Sequence, residues 1–455
     1  MSLRLAARVT LMALLLSVLL VLLARAALAR WAEARWTAAA ARYEREVGSL
    51  DPRSWDLPTV ADAEANAATW IAKGAAALVV DGVVTGLASK SPSTWTSEDL
   101  AAIRHAAKIN HEALAIIARA RSCEASSYGI RVRGAVEARL PDLKQITSGG
   151  RLLFARAVLA RRDGRREDAL ADLELLGAIA RSLGHERVLV VTLVGAAMER
   201  LQLRLVHAFV EDPETSSAEI ARLDAGILSG DLLADYRHGV AAAGAAACSA
   251  VHESLPILGD DHERAVLHAL RPVLDPARAA ACLDAYREIG VALGRPHHEA
   301  GAKLAEIASQ LHSSWLPREF IEKGIPHLVT QESRMTTNLS LRNLARLALS
   351  ARARALDTGE YPADLGAVER DPLTGGLPRW RLASDGTAAL ELPGAAEIVA
   401  EVMPSSDIPL PWSFRLPRVS PARRSTSTAA TTSSWPSERP GSSFARPGRV
   451  SRPRA

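Results

Sequence analysis

Residues 9–24, VTLMALLLSVLLVLLA, carry no charge and sit between Arg4 and Arg8 on one side and Arg25 and Arg30 on the other. As a helix these 16 residues rise about 24 Å, against about 30 Å of bilayer hydrocarbon. Ala26 to Ala29 extend the apolar surface if Arg25 snorkels toward the headgroups, and Trp31 and Trp36 suit the interface beyond. The segment therefore reads as a single-pass transmembrane anchor. It also fits a cleaved signal peptide: Arg4 and Arg8 make a basic n-region, and Ala27-Leu28-Ala29 has the small-x-small pattern of a cleavage site. The apolar run slightly exceeds the usual signal h-region of about 7–15 residues, which favours the anchor.

Either reading exports residues 30–455 and makes the bulk of the chain extracytoplasmic, in the periplasm. We favour the N-terminus inside, although arginines on the two flanks nearly balance. Cys123, Cys248 and Cys282 are the only cysteines. None follows the apolar run, which excludes lipid attachment of the bacterial lipoprotein type. Later apolar stretches fail as membrane spans: residues 71–88 contain Lys73 and Asp81, and residues 188–198 are too short.

The 455 residues allow two or three domains of about 100–200 residues each. Aromatic residues make up only 4% of the chain while Ala and Leu abound, which points to helix-on-helix packing through small contacts and away from a β sandwich or barrel. Three cysteines allow at most one bridge and rule out a disulfide framework, and their apolar helical settings suggest buried, inert thiols. The net charge of +4 is concentrated at the C-terminus, where nine arginines after Phe414 face Glu438 alone. The body is near neutral and its basic residues are mostly arginine. We expect no nucleic-acid partner.

Apolar residues recur at helical spacing through most of the chain. The anchor should continue into an Ala-rich helix ending near Gly48. Thr59, with Asp62 as its capping-box partner, should open a helix to about Val80, and Ser97 should open another to about Cys123, with Leu100, Ile103, Ala107, Leu114 and Ile117 on its core face. Pro141 reads as the first residue of a helix to Arg162, followed by a turn at Asp163-Gly164 and a helix from about Arg166 to Leu183. Further helices are expected over residues 186–210, 218–228, 231–255, 261–270, 276–293, 296–313 and 326–356. In the pair spanning residues 150–183, Leu153, Ala157, Ala160, Gly164, Ala169 and Leu173 are placed as in one tetratricopeptide repeat, which that pair resembles. No second copy follows at a 34-residue period, so irregular stacked helix pairs are expected in place of a repeat array.

From Asp357 the pattern changes to Asp-Thr-Gly-Glu-Tyr-Pro (357–362), then Leu365, then Asp-Pro-Leu-Thr-Gly (371–375), then a candidate hairpin. A three-residue loop Ser384-Asp385-Gly386 sets Trp380 opposite Leu390 and Leu382 opposite Ala388. A long helix followed by D-x-G-x-Y-P-x-x-L and D-P-x-x-G, over residues 341–392, resembles the globular part of type II secretion pseudopilins. The G-F-T-L-x-E processing site of that family is missing from residues 1–20, so only the local fold and a link to secretion carry over. Some members of that family bind calcium in C-terminal loops, which makes Asp371 and Asp385 weak candidate metal ligands. The plainer reading makes the same residues turn formers.

Other chemistry is thin. Adjacent His297 and His298, with Glu299 and the more distant His312, point about 100° apart around a helix, and His262 and His268 beside Asp260, Asp261 and Glu263 fall on different faces. His105 and Glu112 align after two turns, as many surface pairs do. Gly-x-Ser-x-Gly, Ser-x-x-Lys near the N-terminus, His-Glu-x-x-His and Gly-rich phosphate loops are all missing.

The expected architecture is thus mainly α: an N-terminal anchor or signal (1–30), a helical domain (31–356), a small turn-rich β module (357–416), and an Arg/Ser/Pro-rich disordered tail (417–455) with too few aliphatic residues for a core. No cofactor or small-molecule substrate is indicated, and no catalytic residue is assigned. The expected function is that of a membrane-anchored envelope protein that binds or scaffolds partner proteins, with an exported hydrolase, its site assembled only in the tertiary fold, as the alternative.

Overall fold

A computed structural model of the chain describes residues 3–51, 54, 59–79, 82–130, 140–184, 186, 188–227, 232–254, 261–295, 297–311, 325–402 and 412–419. The first helix, α1 (Leu3–Glu46), is continuous through Arg25 and Arg30. Residues Met12–Leu28 are exposed all round. Past Trp31 the pattern narrows to a stripe: Ala32, Ala39 and Tyr43 are buried, with Trp36, Ala40 and Val47 beside the last two. An all-round apolar surface suits lipid, and a stripe repeating every three or four residues suits a protein face. This is the one helix among the described residues long and apolar enough to cross a membrane. The protein is accordingly a single-pass membrane protein with a large, mainly helical body outside the bilayer.

The helix expected from Thr59 starts later. Asp62 accepts from the Glu64 amide in a turn, and Asn66 caps α2 (Ala67–Ala76), accepting from the Ala68 amide while its Nδ2 donates to Ser127 O. A short α3 (Gly82–Leu87) and a 3-10 turn (Pro92–Thr94) lead to α4 (Ser97–Ile109). Its cap is Thr96, not Ser97: the Thr96 hydroxyl accepts from the Asp99 amide, and the Asp99 carboxylate accepts from the Thr96 amide. The helix expected to reach Cys123 breaks at Asn110, whose side chain bonds both the amide and the carbonyl of Val79 at 2.7 and 3.0 Å. The chain resumes as α5 (His111–Ala118) and a 3-10 turn (Arg119–Ser122), so His105 and Glu112 share no helix face.

Asp142, one residue past the expected Pro141, caps α6 (Leu143–Arg162). Gly164, at φ +77°, turns the chain into α7 (Arg166–Gly184), and Leu153, Ala157, Ala160, Ala169 and Leu173 are fully buried in the contact. Then come α8 (Leu189–Val210) and α9 (Ser217–Gly226), the latter opened by a Ser216/Glu219 capping box. The α7/α8 approach is close enough that a Cβ on Gly195 would lie 2.8 Å from the Gly184 amide nitrogen. Here α6, α7 and α8 pack one on the next over one continuous core, and α9 packs on α7.

The next elements are α10 (Leu232–Ser254), α11 (Asp261–Leu293), α12 (His297–Leu311) and α13 (Ile325–Thr358). Two helices were expected between residues 261 and 293; there is one, and Pro272 and Pro276 lie inside it. Each proline removes one backbone hydrogen bond, offset here by the packing that follows. Buried Ala280, Leu283 and Ala285 of α11 share a cluster with Ala39 and Tyr43 of α1. The Tyr43 hydroxyl donates to Ala241 O at 2.6 Å, Arg42 meets Asp284 at 2.9 Å and Arg287 meets Glu46 at 2.9 Å. The anchor helix is therefore also a helix of the body.

A buried polar seam joins α8 to α13. Arg342 and Glu199, 2% and 1% exposed, pair at 2.6 Å, while Asn338 donates to Ala196 O and accepts from Arg200 Nε. The sequence places a helix over residues 326–356 but gives no sign that Asn338 and Arg342 on it would be buried.

After α13 come β1 (Arg379–Leu382), β2 (Ala388–Glu391), α14 (Ala395–Val402) and β3 (Ser413–Leu416). Trp380 faces Leu390 and Leu382 faces Ala388, the register of the three-residue loop, with Gly386 at φ +82°. The third strand, antiparallel to β2, turns the expected hairpin into a three-stranded sheet. The fold also continues past residue 416: Arg352 donates to Pro417 O at 2.7 Å, and Val419 packs on the core. The expected disordered tail, from residue 420 on, lies outside the described residues.

Removing one member of a buried ion pair leaves the other charge without its partner, at a cost of about 3–5 kcal/mol. Glu199→Ala should lose that much in denaturant unfolding of the body, whereas Glu199→Leu with Arg342→Met should recover most of it. Equal losses in the single and double variants would show that the pair does not hold α8 to α13.

Candidate functional site

A cleft of about 820 Å³ opens between the C-terminal half of α6, the C-terminal half of α8 and the segment around Pro92. Phe154, Val158, Leu205 and Ala208 give it apolar walls, Arg161, Arg162 and Arg204 give it positive ones, and His207, Glu211 and Asp212 also line it. Both sets follow from helix geometry. Arg204 and His207 are three residues apart on α8, one turn along the same face. Arg161 and Arg162 end α6, where cations also favour the helix dipole.

The arginines are not equivalent. Arg161 pairs with Asp212 at 3.2 Å, and Asp212 also pairs with Arg166 at 2.6 Å. Arg166 goes on to Glu219 at 2.7 Å and to the Thr215 hydroxyl at 2.9 Å, tying α7 to α9. Partial burial would raise the Asp212 carboxyl, but the Glu214 amide and the Arg166 and Arg161 guanidiniums outweigh it and hold it below the ordinary carboxylate value. Glu219 is lowered in the same way, burial being outweighed by Arg166 and Ser216.

Arg162 and Arg204 have no carboxylate among their described hydrogen bonds. Arg162 donates to Pro92 O, and Arg204 donates to Ala88 O at 2.6 Å and Lys90 O at 2.9 Å, its guanidinium lying 4.6 Å from the Phe154 ring centroid. Burial without a counter-charge pushes Arg204 down to about 10. Two guanidiniums that hold a loop through carbonyls keep N–H groups in hand and an unbalanced positive charge, so an anion entering the cleft would gain charge-assisted hydrogen bonds.

The C-terminal sheet closes one side. His207 Nε2 lies 2.9 Å from Ser413 O, which fixes the ring proton on that nitrogen, and the ring packs against Phe414 with centroids 4.6 Å apart and planes tilted by 49°. Glu211 accepts from the Arg415 amide at 2.8 Å. Ser91 and Ser93 hydrogen-bond to one another at 2.8 Å. With His207 engaged by a carbonyl and the serines by each other, these groups form no nucleophile and base pair.

The metal candidates lie elsewhere and apart. Asp371 is buried, and its Oδ1 accepts from the amides of Leu373 and Thr374, both at 2.9 Å. Asp385 sits in the exposed β1–β2 loop and accepts from the Thr387 amide and hydroxyl at 2.9 and 2.7 Å. Each carboxylate shapes its own turn. Among the described residues no group of three His, Cys, Asp or Glu side chains is placed to hold a metal ion. Of the other candidates, Asp260 and His312 fall outside the described residues, as do the side chains of Asp261, His262, Glu263, His268, His297 and His298.

Tyr361, from the Asp357–Pro362 signature, has a structural task. Arg352, fully buried, donates to its hydroxyl at 2.8 Å, and that hydroxyl donates to Pro417 O at 2.8 Å. Trp380 completes the contact by donating to Pro362 O at 3.0 Å.

The cleft arginines escaped the sequence reading, since each taken alone is an ordinary helix-surface arginine. The usable signal was Arg204 and His207, at i and i+3 in the C-terminal half of α8. No protein-family model, curated protein or solved structure matches the chain. The cleft therefore has to be read from its geometry.

Because Asp212 and Glu219 have lowered pKa values in the folded state, the stability they contribute is complete above their unfolded values near 4 and is lost as pH falls through the folded ones. Arg166→Met should cost about 1–3 kcal/mol at pH 7 and flatten the fall in stability below about pH 4. Parallel pH profiles for the two proteins, measured by chemical unfolding, would contradict the assignment.

Proposed function

We propose that this protein is a scaffold or protein-binding component of the bacterial envelope, with its body in the periplasm and its arginine-lined cleft receiving an acidic segment of a partner. The observation that carries the proposal is the double use of α1, bare and apolar over Met12–Leu28 and clamped into the body by Arg42, Tyr43 and Glu46. A body held this way keeps a short, defined distance from the bilayer, as a docking platform requires. Cleavage after Ala29 would have to unwind a helix that runs unbroken to Glu46, which supports a retained signal-anchor over a removed signal peptide.

The cleft supports the binding half of the reading. It combines apolar walls with two carbonyl-bonded guanidiniums, the composition that recognises a carboxylate-rich peptide with some apolar side chains. A tetratricopeptide-like arrangement of α6 and α7 supports the same reading, since stacked helix pairs commonly present binding surfaces. A link to secretion is supported by the order of long helix, D-x-G-x-Y-P loop and antiparallel sheet, through its resemblance to pseudopilins.

Crosslinking in intact cells, followed by recovery of the full-length protein, tests this. The wild type should bring down envelope proteins with exposed acidic segments. The variant Arg162→Glu with Arg204→Glu should recover about tenfold less, the equivalent of about 1.4 kcal/mol, while keeping its helical circular dichroism. Undiminished recovery by the variant would remove the cleft from the account. A partnerless monomer with measurable hydrolytic activity would replace the scaffold reading with the exported hydrolase.

A further inference from the structure

Cys248 of α10 and Cys282 of α11 are both buried, and they lie in the same small cluster as Ala39 and Tyr43 of α1. Their helices run antiparallel and unusually close. A Cβ on Gly244 would fall 2.7 Å from the Tyr286 ring, so nothing larger than glycine fits there. Cys248 lies four residues after Gly244, and Cys282 lies four residues before Tyr286. One helical turn from the tightest contact, the two cysteines therefore face each other across the same seam. Alanines continue the seam on both sides, with Ala245 on α10 and Ala279 and Ala280 on α11 all fully buried. Side chains this small let two helices approach to the Cα separation of about 4.4–6.8 Å that a disulfide needs.

We propose that Cys248 and Cys282 form an intramolecular disulfide that staples α10 to α11 beneath the anchor helix. The proposal rests on the export reading above for its oxidising compartment. Two S–H bonds break and one S–S bond forms. Through a mixed disulfide, the two electrons and the two protons pass to the disulfide of a thiol–disulfide exchange protein, which becomes a dithiol.

The surroundings agree. Burial pushes the Cys248 thiol up, and the neighbouring Cys282 thiol adds to the shift. Burial likewise raises the hydroxyls of Tyr43 and Tyr286, which adjoin the same two thiols. A thiol so raised is a poor nucleophile once the helices have closed over it, so the bond forms as they come together and then resists reduction. Cys123 takes no part. It packs against a different core, and its Sγ lies 3.5 Å from Glu64 O and 3.6 Å from Arg119 O. The bridge spans 34 positions of sequence and fixes the two helices on which the base of α1 rests.

The test counts thiols on the full-length chain in detergent. The protein is reduced in denaturant, returned to detergent in an oxidising glutathione buffer so that the helices close in its presence, quenched with acid, denatured, alkylated and weighed. The proposal predicts one label per chain, on Cys123, and a proteolytic peptide pair joined through Cys248 and Cys282. Under the same treatment Cys248→Ser should keep both of its remaining thiols free. Three labels, a glutathione adduct on Cys248 or Cys282, or a bridge through Cys123 would overturn the pairing. The same count on protein acid-trapped from cells separates the two readings. One label supports pairing and export together, whereas three labels from cells with one from the purified chain would overturn the export reading and leave the pairing standing.

Discussion

One helix has to satisfy two solvents. Over Met12–Ala24, α1 offers lipid a surface mostly of leucine and valine on every side, and over Ala32–Val47 it meets protein with a single stripe of Ala, Trp and Tyr. Lipid offers no partner for an open backbone amide, so the crossing segment must be helical, and a helix once formed propagates at low cost into Ala-rich sequence. Continuity through Arg25 and Arg30 follows from that. The position of the rest of the body then depends on how firmly α11 and α10 hold the far end, which is the task of Tyr43, of Arg42 with Asp284, and of Arg287 with Glu46.

Within the body, close helix contact takes the place of large aromatic side chains. Gly74 against Ile117, Gly195 against Gly184 and Gly244 against Tyr286 each leave no room for a Cβ. Such contacts gain dispersion where a helix backbone lies directly against a neighbouring side chain or backbone. They suit a chain with few aromatics and many alanines. They also bring polar backbone and long arginines into the interior, where Arg342 finds Glu199, Arg352 finds Tyr361 and the Pro417 carbonyl, and Arg204 finds the carbonyls of Ala88 and Lys90.

Much of this was legible in the sequence where a local rule had no competitor. The anchor, the turn at Gly164 and the register of Trp380 with Leu390 each follow from local patterning. Misreadings came where tertiary contacts overrode a local signal. Thr59 and Asp62 look like a capping box, yet Asn66 caps the helix because its amide also reaches Ser127. Pro276 looks like a helix start, yet α11 continues through it because α1 and α10 pack on the residues beyond. Asn110 gives no warning that it will break a helix, since the groups it bonds belong to Val79. The third strand was hidden by 21 intervening residues, including an unforeseen helix. The cleft was the least visible feature, because nothing in a helical arginine's neighbours in sequence reveals whether a carboxylate awaits it across the fold.

The account stands on α1 being a single, retained helix shared by membrane and body. Hydrogen exchange on the protein isolated from membranes and reconstituted in a lipid nanodisc measures this directly, peptide by peptide. Slow exchange should run without interruption from the apolar segment through Tyr43. A fast-exchanging break around Arg25–Trp31, or a mature chain from which every peptide before Arg30 is missing, would contradict it.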